Sequence, residues 1–82
     1  MFYVYILKSN KDYKYYIGQT NNLEDRLLRH NSGRVSSTRN RIPLKLIKVE
    51  KFYSRSDAIN RERYLKSLKG GNEFRKLLCD GV

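Results

Sequence analysis

Tryptophan is absent from this 82-residue chain, and cysteine, proline, methionine and histidine occur once each. One thiol, Cys79, excludes an intramolecular disulfide and a cysteine-based zinc site. Its place in Leu77-Leu78-Cys79 reads as a small buried hydrophobe in a reducing compartment. Long apolar runs are missing as well. Met1 to Leu7 is apolar but stops at Lys8, has no basic segment before it, and is too short for a signal peptide or a membrane span. A cytoplasmic protein with no membrane segment is the expectation. Acidic residues are scarce: eight Asp and Glu face eighteen Lys and Arg, for a formal charge of +10. Such a field draws polyanions, nucleic acid before anionic membrane. Between Arg34 and Lys69 the only acids are Glu50, Asp57 and Glu62.

What is present is a chain long enough for one small core, so residues 1–82 are read as a single domain with no linker or internal repeat. Seven tyrosines stand against three phenylalanines. Tyrosine buries its ring while its hydroxyl seeks a polar partner, so this core is expected to border a polar site.

Phe2 to Leu7 is β-branched, aromatic and aliphatic without a break, the pattern of a strand covered on both faces. Ser9-Asn10-Lys11-Asp12 is a turn cluster, and Tyr15 to Thr20 reads as a second strand of an antiparallel hairpin. Gly18 inside it suggests a bulge or the close approach of another backbone or a ligand. Asn21 or Asn22 caps a helix that runs to about Asn31 and stops at Gly33, with Glu24 and Asp25 in its first turn. Ser32 to Arg41 is polar and basic, a surface loop. Leu44 to Glu50 is a third strand, and Ser54-Arg55-Ser56-Asp57 has the capping-box form that opens a second helix ending at Gly70-Gly71. Asn72 caps a last helix carrying Phe74, Leu77 and Leu78. The order β-β-α-β-α-α predicts a small α+β domain, a three-stranded antiparallel sheet flanked by helices.

Some residues sit where packing alone would not put them. On the second helix Glu62 projects into the arc of Ala58, Leu65 and Leu68. A carboxylate there costs several kcal/mol, of order ~3–5, unless an arginine or a metal meets it or the chain reaches to solvent. On the first helix Leu23, Leu27 and Leu28 are expected to face inward, with Arg26 and His30 on the border of that stripe. Two cations four residues apart repel, so their placement calls for an anion nearby. Tyr5 and Tyr16 fall on adjacent strands facing one side; cross-strand tyrosines also pair for packing alone.

Tyr3-Val4-Tyr5-Ile6-Leu7, Tyr16-Ile17-Gly18-Gln19-Thr20, Leu23 to His30 and Ala58 to Lys66 together resemble the GIY-YIG nuclease domain, in order and spacing, from residue 2 to about 78. Ser37-Thr38-Arg39-Asn40-Arg41-Ile42-Pro43 resembles the basic loop of short stand-alone bacterial members. Tyr3 and Val4 depart from the first motif's glycine and isoleucine, while Tyr5 is kept. The resemblance implies a metal-dependent endonuclease that hydrolyses phosphodiesters, DNA rather than RNA, with little sequence specificity, in repair or recombination. It implies catalytic roles for Tyr5, Tyr16, Arg26, His30 and Glu62. Glu62 would hold one Mg²⁺ or Mn²⁺, and Arg26 the non-bridging oxygens. Tyr5 would take a proton from water, its pKa lowered by neighbouring cations or its action assisted by neutral His30. Lys14, Arg34, Thr38, Arg39, Arg41, Lys66 and Asn72 would contact nucleic acid, Asn72 being also the nearest match to a polar site position after the glutamate helix. The implied chemistry requires the Glu62 acid, the two hydroxyls and the guanidinium to converge on one cleft. The alternatives are a basic nucleic-acid-binding module with an unused site, and an accessory protein docking to an acidic partner; a protein partner or a dimer is compatible with each.

Overall fold

The apolar run near the start becomes the middle of a sheet. A computed structural model describes residues 1–69 and 71–79, and of Cys79 only its place in the last helix, so the buried-thiol expectation lies outside the described residues, as does Gly70 at the expected helix end. The elements are β1 (Phe2–Ser9), β2 (Tyr15–Thr20), α1 (Leu23–Asn31), β3 (Leu44–Phe52), α2 (Arg55–Leu68) and α3 (Asn72–Cys79), with a 3₁₀ turn at Arg39–Arg41. This is the expected α+β order. The sheet is antiparallel in the order β2-β1-β3, so β1 pairs on both edges and is covered on both faces.

Alternation along β1 divides the molecule. Val4 and Ile6 join Ile17, Ala58 and Leu65 of α2 and Phe74 of α3 on one face. Tyr5 and Leu7 join Leu44, with Tyr16, Leu46 and Val49 of the sheet and Leu23 and Leu27 of α1, on the other. On β3 this second face is served first by Leu44 and Leu46, then by Val49. The change of parity comes from a register shift: Leu46 lies opposite Leu7 and Lys48 opposite Ile6, leaving Ile47 as the extra residue of a bulge, 37% exposed. That accounts for the imperfect alternation of the sequence there. The strand also continues past Glu50, because Lys51 and Phe52 still pair with Tyr3 and Phe2.

Caps form at the expected residues. Asn22 Oδ1 accepts from the Asp25 amide at 3.1 Å, and Ser54 Oγ from the Asp57 amide at 3.1 Å. Gly33, at φ +80°, follows the end of α1. The α1 stripe differs from the expectation. Leu28 is 67% exposed, while His30 is fully buried. The inward positions are 23, 27 and 30, and Leu28 is rotated about 100° from Leu27 into solvent. Asn72 is the first residue of α3 rather than its cap, since the Arg75 amide bonds to the Gly71 carbonyl.

The basic loop after α1 is tied at both ends. Asn31 Nδ2 donates to the Leu44 carbonyl at 3.2 Å, and the Leu44 amide donates to Asn31 Oδ1 at 2.8 Å. Buried Ser9 donates to the Arg41 carbonyl. Among the described residues no helix is long and apolar enough to cross a membrane. Leu65→Ala, in the fully buried seam of α2, should cost about 2–5 kcal/mol of stability. Leu28→Ala should stay within roughly 0.5 kcal/mol. Urea unfolding of the two variants measures both.

Candidate active site

Tyr5 sits at the centre of β1 on the α1 side, 1% exposed, directly across from Gly18 of β2. The register passes through this pair without a shift, so Gly18 is not a bulge. Its missing side chain is what the site uses. A Cβ at Gly18 would lie 2.6 Å from Tyr5 Cζ, against the Tyr5 hydroxyl, and 3.2 Å from Tyr16 Cε1. The close approach inferred from the glycine is therefore that of a tyrosine ring laid across the strand.

The Tyr5 hydroxyl lies 3.1 Å from His30 Nε2, and His30 Nδ1 lies 2.8 Å from Thr38 Oγ1. His30 and Thr38 are both fully buried. The imidazole meets the Tyr16 ring edge-on at 4.9 Å between centroids and the Tyr5 ring at 5.8 Å, and the two phenol rings are 6.3 Å apart. Three elements contribute: the hairpin supplies the phenols, the last turn of α1 the imidazole, and the basic loop the threonine.

Burial sets the proton affinities. It lowers the His30 pKa first, and the nearby Arg26 charge lowers it further, so the imidazole is neutral at neutral pH. For Tyr5 burial raises the pKa, Tyr16 and Glu62 add to the rise, and Arg26 opposes it without prevailing. The expected lowering by cations is thus reversed, because desolvation of a buried phenolate outweighs one guanidinium. A neutral imidazole has one donor and one acceptor. With Tyr5 O–H donating to Nε2, Nδ1–H is left to donate to Thr38.

Arg26, half-buried on α1, acts by its charge on both Tyr5 and His30. Glu62 acts by its charge on Tyr5. Helix α2 packs on the sheet face opposite α1. The convergence on one cleft that the implied chemistry requires is therefore seen as direct contact only for Tyr5, Tyr16 and His30, joined by Thr38, while Arg26 and Glu62 reach Tyr5 by charge alone. Arg61 grips Glu50 of β3 with both arms, 2.7 and 3.0 Å, which fixes how α2 is rotated on the sheet. Glu62 is met by a lysine rather than an arginine: Lys66 Nζ lies 2.9 Å from Glu62 Oε2, the lysine side chain 54% exposed and the acid 19%.

Of the residues expected to touch nucleic acid, Lys14, Arg34, Arg39, Lys66 and Asn72 are exposed. Arg41 is half-buried, donating to Asp12 Oδ2 at 3.1 Å and to the Tyr15 carbonyl at 3.5 Å. Thr38 requires correction. Folded under the loop onto His30, its hydroxyl is out of reach of any ligand. No local pattern links Thr38 to a histidine eight positions earlier, so only the fold could show the pairing. Among the described residues no hydrogen bond connects Asn72 to the tyrosine–histidine cluster.

The depressed His30 pKa has a sign that can be measured. The unfolded chain takes up a proton near the ordinary value of 6.5 while the folded site resists it, so stability is present above that value and is lost as pH falls through the folded pKa. Urea midpoints should fall between about pH 7 and about pH 5, and His30→Gln should flatten that dependence even if it lowers overall stability.

Comparison with known proteins follows the same residues. The model of the GIY-YIG catalytic domain matches residues 1–75. A UPF0213 protein of Clostridium perfringens is 49% identical over 69 residues, covering 83% of this chain and 73% of its own length. A UPF0213 protein of Oceanobacillus iheyensis is 43% identical, covering 80% and 77%, and one of Natronomonas pharaonis is 40% identical, covering 89% and 86%. No solved structure matches the chain. With the domain model spanning the hairpin, α1, β3 and α2, the chain belongs to the GIY-YIG family of nuclease domains.

Proposed function

We propose that this protein is a metal-dependent endonuclease that hydrolyses phosphodiester bonds by a proton relay from Tyr5 to His30. The observation that carries the reading is the Tyr5 hydroxyl itself: buried, bonded to a neutral imidazole, and under the charges of Arg26 and Glu62. A binding module needs no such chain of buried polar groups.

Because Tyr5 holds its proton strongly, it does not work as a standing phenolate. It accepts a proton from the attacking water as its own O–H proton passes to His30 Nε2. His30 becomes an imidazolium whose Nδ1–H stays on Thr38 Oγ1. The water oxygen forms the new bond to phosphorus, the bond to the leaving oxygen breaks, and that oxygen takes a proton from solvent. The planar fork of Arg26 suits the non-bridging oxygens, where negative charge builds up. Tyr16, against both His30 and Tyr5, keeps their ring orientations.

The donor set limits the metal. Among the described residues no group of three or more His, Cys, Asp or Glu side chains comes together. Glu62 is a lone carboxylate, which fits a hard ion that keeps waters and takes substrate oxygens, Mg²⁺ or Mn²⁺, and does not fit zinc in an all-protein cage. Lys66 marks the place for a cation. An i,i+4 pair with a half-exposed lysine is worth at most ~1 kcal/mol, so a divalent ion can displace it. When bound, the ion supplies charge neutralisation at the phosphate and at the leaving oxygen.

Glu62→Gln and Arg26→Ala should each reduce cutting by roughly 10²-fold or more, and Tyr5→Phe likewise, with unfolding curves showing intact folds. The assay is a panel of single-stranded, duplex, flapped and branched DNAs and RNAs with Mg²⁺ or Mn²⁺. If the unaltered protein leaves all of them whole, the proposal fails. Lys66→Gln, which frees Glu62 from its partner, should tighten Mn²⁺ binding several-fold by calorimetry.

A further inference from the structure

The turn joining β1 to β2 carries features that the relay does not use. Tyr13 is 70% exposed, and its backbone adopts φ +60°, a left-handed conformation that bulky residues rarely enter. A large ring held out in solvent on a strained backbone contributes little to folding. The Lys8 ammonium stands 5.8 Å from the Tyr13 ring centroid and 5.6 Å from that of Tyr15.

Tyr15 gathers other basic groups at the same end of the molecule. Its carbonyl accepts from Arg41, and its ring meets Phe74 of α3 edge-on at 5.3 Å, which brings the first turn of α3 alongside. Lys69, at the end of α2, lies within the fields of Arg41, Lys66 and Lys14, and Asp12 is the one acid acting on it. Burial foremost, then those cations, lower the Lys69 pKa, with Asp12 opposing them. Asp12 is itself engaged by Arg41.

This patch adjoins the catalytic acid. From Glu62 to Lys69 α2 rises about 10 Å at 1.5 Å per residue, with Lys66 between them. That is roughly three nucleotide steps of a stacked strand at 3.4 Å each. Exposed aromatic rings among cations are the means by which proteins hold unpaired nucleic acid, since a base must leave its stack to lie on a ring.

We propose that the β1–β2 turn is a binding site for an unpaired stretch of substrate strand about three nucleotides from the bond cut, with Tyr13 stacked on a base and Lys8, Lys14, Arg41 and Lys69 on its phosphates. The cut bond in that statement rests on the nuclease reading; the binding site does not.

The test is fluorescence anisotropy in EDTA, where binding is read without cutting. The probes are a blunt DNA hairpin and the same hairpin with a tail of unpaired thymidines. Tyr13→Ala should weaken the tailed probe roughly tenfold and leave the blunt one unchanged, with Tyr13→Phe restoring the affinity. Lys14→Gln with Lys69→Gln should reduce the salt slope on the tailed probe by about 1.4, or ~0.7 per phosphate contact. Lys51→Gln with Arg55→Gln should leave that slope unaltered. Those control positions lie at the opposite end of β1 from the turn, where Lys51 pairs with Tyr3 and Arg55 covers the Phe2 ring. Thermal unfolding of each variant checks its fold. Equal loss on both probes from Tyr13→Ala, no loss on either, or an equal slope change from the control pair would overturn the site. A protein that shows the tail-specific loss yet cuts nothing keeps the site and loses the nuclease reading.

Discussion

The fold is organised around a hydrogen-bonded chain that it cannot leave unpaired: Tyr5 to His30 to Thr38. Tyr5 is 1% exposed and His30 and Thr38 are fully buried, and a buried polar atom without a partner costs ~1–3 kcal/mol. Among the described residues no buried side-chain nitrogen or oxygen lacks a partner. Satisfying this chain demands that the hairpin, the end of α1 and the loop after it meet at one point. The Asn31 amide on the Leu44 backbone and the Ser9 hydroxyl on the Arg41 carbonyl hold that loop from either end. The polar chain therefore sets the positions of apolar elements, the reverse of the usual relation between core and site.

Charge is distributed with equal economy. Dehydration keeps the phenol protonated and the imidazole neutral, so the pair holds no net charge at neutral pH. Arg26 and Glu62 act from two helices on opposite faces of the sheet, and opposite signs keep their combined field modest. The Arg61–Glu50 fork does for α2 what Asn31 does for the loop. It anchors the turn that also bears Glu62, and the strength of that anchor shows in the raised Arg61 pKa, caused first by its hydrogen bond to Glu50.

The elements were legible in the sequence because their signals are local. Caps at Asn22 and Ser54, the unbroken run at Phe2 to Leu7 and the turn residues after it need only near neighbours. The outward Leu28 and the bulge at Ile47 were not legible, since each depends on which neighbouring residue takes the inward place. For the site, motif order brought out Tyr5, Tyr16, Arg26, His30 and Glu62, and the structure adds how the first four share one environment. Thr38 was misread as a surface contact because a threonine in a basic loop looks exposed until the loop folds. The direction of the Tyr5 shift was misread for a related reason: sequence displays charges and conceals burial.

One strand supplies both halves of the molecule. Along β1, Val4 and Ile6 hold α2 and α3, and Tyr5 and Leu7, lying between and beside them, face the α1 side, where Tyr5 meets the imidazole. Sliding that strand by a single residue would place the phenol among the aliphatics and an isoleucine against His30. A displaced arrangement of that kind loses its hydrophobic contacts, so the pairing that makes the chain stable is the same pairing that aligns Tyr5 with His30. Assembly of the fold and completion of its buried hydrogen-bond chain are, in this chain, a single event.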